Sequence, residues 1–73
     1  MTFPDKSIIE HLKLEYPVGM KVRLVEMKDE QAPPVGTIGE VYGVDDTASL
    51  LVHWRNGSSL NVLYDVDRVE RIG

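Results

Sequence analysis

The chain contains no cysteine, which removes a disulfide framework, a thiolate zinc site and thiol chemistry together. Long apolar runs are missing too: none approaches the roughly 20 residues that a membrane-spanning helix needs. The first residues, MTFPDKSIIEHLKLEYP, set acids and a proline where a secretory signal wants a basic start and an apolar stretch. A soluble cytoplasmic chain without a membrane partner is expected. Positive charge is also scarce, with 8 basic against 12 acidic residues and a net charge of −4. A duplex binder offsets phosphate charge with clustered Lys and Arg. Here Lys21 and Arg23 share a strand face, but Glu26, Asp29 and Glu30 follow at once. Nucleic-acid binding is disfavoured on that ground and survives only as a weak alternative through Lys21, Arg23, Lys28 and Arg55.

What is present is enough for one core. A chain of 73 residues buries only about 60% of its unfolded surface. Residues 7–14, SIIEHLKL, predict a short helix: Ser7 followed three residues later by Glu10 is the capping-box pattern. Ile8, Ile9 and Leu12 gather on one face, and Pro17 with Gly19 ends the helix. From Met20 the period changes from helical to alternating. Met20, Val22 and Leu24 point one way and Lys21 and Arg23 the other, as in a half-buried antiparallel strand.

KDEQAPPV, 28–35, reads as a long stiff loop, because consecutive prolines remove ladder donors. GTIGEVYGV resumes as a strand whose glycines permit a bulge. VDDTAS is a turn, Asp45 and Asp46 being suited to bonds with their own backbone. Leu50, Val52 and Trp54 alternate with Leu51, His53 and Arg55, and Asn56-Gly57 predicts a type I′ hairpin. Leu60 and Val62 begin the return strand, LYDVD turns, and RVERI closes the chain as a strand. The expected fold is mainly β: a helix and connector over 1–19, then a small SH3-like barrel of about five antiparallel strands over 20–73.

The most specific stretches are Pro34-x-Gly36-Thr37-x-Gly39-x-Val41, the Val44-Asp45-Asp46 turn, Trp54-x-Asn56-Gly57-Ser58-Ser59 and Val66-Asp67. With them, residues 20–72 resemble an uncharacterised family catalogued as a domain of unknown function. The resemblance implies an SH3-like barrel and a bacterial or phage setting, on plasmids, conjugative elements and prophages of Gram-positive bacteria. It implies no activity and leaves residues 1–19 mostly outside. Two positions depart from the family pattern: Arg55 stands where an acidic residue is frequent, and Tyr64-Asp65 where a Pro-Gly turn is frequent.

Side chains that could carry chemistry have plain structural readings. Ser58 and Ser59 beside His53 sketch a nucleophile and base, but serines after Asn-Gly ordinarily satisfy turn polar groups. Asp65-x-Asp67 and Asp45-Asp46 sketch a metal site, yet Arg68 and Val69 do not supply what a calcium loop would need next, and His11 and His53 have no second imidazole at ligand spacing. No catalytic residue, metal or cofactor is expected. Trp54 is read as a core residue that keeps one ring face for a partner, as aromatics at strand ends in SH3-like barrels commonly do.

The leading expectation is a non-enzymatic module that binds another protein through Pro33, Pro34, Tyr42, Trp54, Arg55 and Tyr64. The alternative is an inhibitor or accessory protein of a phage or mobile element, whose acidic surface blocks a basic groove on a host protein. A homodimer through Ile8, Ile9 and Leu12 stands beside the option that these residues pack on the chain's own barrel.

Overall fold

The computed structural model describes residues 6–72, so expectations for the first five residues and for Gly73 lie outside it. Helix α1 spans Lys6–Glu15 and is followed by β1 (Lys21–Glu26), β2 (Ile38–Val44), β3 (Ser49–Trp54), β4 (Val62–Leu63) and β5 (Arg68–Arg71). The strands form one antiparallel sheet in the order β4-β3-β2-β1-β5. The last strand therefore returns to pair with the first, placing the two short strands at opposite edges.

One face of this sheet makes the core. Val22 and Leu24 from β1, Val41 from β2, Leu50, Val52 and Trp54 from β3, and Val62 from β4 are all buried, as strict alternation requires. Leu12 of α1 joins them, with Ile8 and Ile9 packed alongside. The helix thus belongs to the same core as the strands, and its apolar stripe is covered by its own sheet. Lys6, Glu10 and Lys13 stay exposed. Ser7 lies within α1, since the described helix already includes Lys6, one residue before the expected cap position. After Glu15, a turn closed by the Met20 amide on the Pro17 carbonyl (2.9 Å) leads into β1.

Two bulges bend the sheet. Between β2 and β3 the register passes from Val41↔Val52 to Gly43↔Leu51, so Tyr42 is the extra residue. Between β1 and β5 it passes from Leu24↔Val69 to Glu26↔Arg68, so Val25 is extra.

The β3 hairpin departs from the predicted turn. Gly57 has φ +90° while Asn56 does not adopt positive φ, which excludes type I′. Instead, the Gly57 amide bonds the Trp54 carbonyl (3.0 Å), the Trp54 amide bonds the Ser58 carbonyl (3.1 Å), and Asn56 Oδ1 accepts from the Ser58 amide (3.0 Å). This is a three-residue loop, Arg55 to Gly57, with the glycine in the left-handed position. The return strand is also shorter than expected: Leu60 precedes β4, which pairs only Leu63 with Ser49 and Val62 with Leu50.

Five antiparallel strands and a short N-terminal helix are thus present as expected, but the sheet is open. Among the described residues, no ladder joins β4 to β5.

Candidate interaction site at the open seam

The edge strands meet the open seam differently, because hydrogen bonds alternate along an antiparallel strand. The Ile72 amide bonds the Lys21 carbonyl (3.0 Å), while the Leu24 amide bonds the Thr37 carbonyl (2.9 Å) on the β2 side. Lys21 and Arg23 consequently turn their backbone groups to β5, meeting Ile72 and Glu70. By the same parity, the amides and carbonyls of Val69 and Arg71 point away from the sheet. The edge of β4 is covered by its own turn. Asp67 Oδ2 accepts from the Leu63 amide (2.9 Å), and the Leu63 carbonyl accepts from the Asp67 (3.0 Å) and Val66 (3.2 Å) amides. Asp65 supports this turn with φ +63°. Asp67 thus closes this turn through both its side chain and its amide.

Between the edges lies a groove of about 480 Å³ whose walls include Leu12 of α1, Tyr16 just after it, Leu63 of β4, Tyr64 and Val69 of β5. Three of its apolar side chains keep much of their surface in solvent: Val25 at 41%, Leu63 at 45% and Tyr64 at 48%. Charges frame it. Arg71 Nη1 reaches the Glu15 carbonyl (3.3 Å) and Glu15 Oε2 (3.4 Å), tying the end of α1 to β5. Its guanidinium carbon lies 6.0 Å from the centre of the Tyr16 ring, and His11 Nε2 lies 3.3 Å from Glu15 Oε1.

The residues expected to form a binding surface do not converge. Trp54 is only 4% exposed, and its indole N–H donates to the Leu60 carbonyl (2.9 Å). It is a core residue with both its apolar body and its polar tip satisfied, and it offers no free ring face. Burial of such a side chain contributes about 2–3 kcal/mol. Pro33 is buried as well, leaving Pro34 as the exposed member of the pair. Pro34 works as a turn acceptor, its carbonyl taking the Thr37 hydroxyl (2.6 Å) and amide (3.0 Å).

Tyr42 stands on the outer face of the sheet, its ring stacked 4.0 Å from that of His53. Arg55 sits exposed at the hairpin tip beside a shallow cleft of about 220 Å³ shared with Lys21, Glu40 and His53. Only Tyr64 lies on the seam. Val25 and Leu63 are not singled out as site residues by the sequence, and the bulge that exposes Val25 has no local sequence signal.

The outer face is electrically balanced. Lys21 pairs with Glu40 (2.6 Å) and Arg23 with Glu70 (2.6 Å). The Lys21 hydrogen bond and its charge hold the Glu40 carboxyl below its ordinary pKa. Two of the four cations considered for nucleic-acid binding are thereby engaged by carboxylates.

At the Asp45 turn, partial burial pushes the carboxyl up. Hydrogen bonds from the Thr47 hydroxyl and from the Ser49 and Thr47 amides outweigh it and leave the pKa lowered. Asp45 is occupied as the organiser of that turn. The Ser58 hydroxyl accepts from the Leu60 amide (3.3 Å), while His53 is stacked on Tyr42. Among the described residues, no group of three or more metal-ligating side chains converges, and no helix is long and apolar enough to cross a membrane.

The fold and the seam together define a small five-stranded antiparallel β domain in which, among the described residues, the β5 edge is left unpaired beside an apolar groove. By its match to the family model over residues 5–72, the chain belongs to DUF4314, a domain of unknown function. The match takes in α1, so the helix lies within the family's span rather than outside it. No curated protein and no solved structure matches the chain.

Proposed function

We propose that the protein is a non-catalytic interaction module that binds a polypeptide at the open seam. One observation carries this reading: Val25, Leu63 and Tyr64 remain partly exposed around a groove that runs beside the outward-facing backbone groups of β5. Apolar side chains give such a surface affinity, and a free strand edge gives it direction, since an extended segment can add main-chain hydrogen bonds there. Tyrosine suits the position because its ring offers apolar contact and its hydroxyl stays wet. The engaged carboxylates and cations of the outer face favour this seam over a charge-driven surface for nucleic acid.

The reading is tested by comparing partner capture by the wild-type chain with that by two pairs of variants. Leu63→Ser and Tyr64→Ala are expected to lose the captured polypeptide while keeping a wild-type circular dichroism spectrum. Tyr42→Ala and Arg55→Ala, away from the groove, are expected to retain it. Folded seam variants that capture as well as wild type would refute the assignment.

A further inference from the structure

We propose that the polypeptide seated on the β5 edge is a second copy of the same chain, paired β5 to β5 about a two-fold axis. The inference rests on reading the seam as a contact surface, and it names the occupant from the order of charges along the strand. Residues 67–71 read Asp-Arg-Val-Glu-Arg. In an antiparallel pair centred on Val69, the residue numbers of opposed positions sum to a constant. Val69 then faces Val69 of the second copy, Arg68 faces Glu70, and Asp67 faces Arg71. Every charged position meets the opposite sign, on both sides of the axis.

The backbone agrees with this register. Val69 has its amide and carbonyl directed outward, so the central pair exchanges two hydrogen bonds. Arg71 can donate its outward amide to the Asp67 carbonyl of the second copy. The Asp67 amide is already bonded to Leu63, which leaves four intermolecular backbone bonds in all. Arg68 and Glu70 lie on the outer face, where Glu70 is already paired with Arg23 (2.6 Å); Arg68 makes no ion pair among the described residues. Pairing would add Arg68 of one copy to the Arg23–Glu70 bridge of the other. The register one step along, centred on Glu70, sets like charges face to face and is disfavoured. Charges on an edge strand usually prevent pairing, but this alternating order selects one partner strand, its own.

The dimer is expected to be weak, because an edge pairing of this length buries less than a standard interface. Sedimentation of the wild-type chain should show its mass rising above the 8.2 kDa monomer as concentration increases from about 10 µM to about 1 mM.

The decisive variants are R68E and E70R. Each alone opposes like charges in the dimer and should weaken self-association at least about tenfold. Mixed together, the two restore opposite signs at both symmetric pairs, so the mixture should associate although neither component does. Circular dichroism establishes that both variants fold. A wild-type chain that stays monomeric throughout overturns the inference, as does a dimer indifferent to R68E or a mixture without rescue. If the wild type is monomeric while Leu63→Ser and Tyr64→Ala still abolish capture of another polypeptide, the seam reading stands and this occupant falls.

Discussion

Two residues show how differently a small side chain can matter in this core. Gly39 lies on β2 directly beneath Trp54, and a Cβ there would collide with Val52 Cγ1 and come within 2.8 Å of Trp54 Cε3. Neither neighbour is the free end of a flexible chain, since both are buried. Gly39→Ala should therefore cost about 2–3 kcal/mol, read as a lower urea midpoint with an unchanged slope. Asp45 matters through polarity. Its carboxylate accepts from three donors that would otherwise compete for water at a tight turn, and Asp45→Ala should cost about 1–2 kcal/mol at neutral pH. The sign with pH follows from the lowered pKa: its contribution is complete above the ordinary value of 3.8 and is lost as pH falls through the folded value. Urea midpoints of wild type and Asp45→Ala should accordingly converge in acid and stay apart above about pH 5.

Among the elements, those with a strong period were legible and those decided by partners were not. The alternation of Val22 and Leu24, and of Leu50, Val52 and Trp54, announced buried strand faces because each residue type repeats at the period of the pleat. The stripe of Ile8, Ile9 and Leu12 announced the helix, while the Ser7 cap signal set its start too late, since the described helix already includes Lys6. Asn56-Gly57 announced a hairpin and misled about its turn. That pair fits a type I′ loop, and it also fits a three-residue loop with only the glycine left-handed; the pairing of Trp54 with Ser58 decides between them. Because a Cβ at Gly57 would meet nothing within 4 Å, any cost of Gly57→Ala is purely conformational. It should be about 1–2 kcal/mol in a chemical denaturation series, less than at Gly39, where the added atom also meets buried neighbours.

At the scale of the whole molecule, the seam could not be read in advance because it depends on where residues distant in sequence stop pairing. Tyr64 drew attention for its type, and the groove around it arises from a two-residue β4, a bulge at Val25 and the capture of the Leu63 backbone by Asp67. Trp54 pulled the expected surface toward the hairpin for the same reason: its chemistry suits a contact face, but only the folded sheet shows that Leu60 and Gly39 enclose it. The open edge also has a direct signature. In a dilute monomer the Glu70 and Ile72 amides are bonded to β1, while those of Val69 and Arg71 face solvent, so the first pair should exchange with deuterium slowly and the second pair quickly. Self-association would protect Val69 most, because its amide lies at the centre of the paired strands, and Arg71 next. Residue-resolved exchange at low and high protein concentration should therefore show protection rising at Val69 and Arg71 alone along β5, with Glu70 and Ile72 nearly unchanged. Protection equal at all four amides in the dilute chain would mean that the seam is closed in solution and that the free edge does not exist.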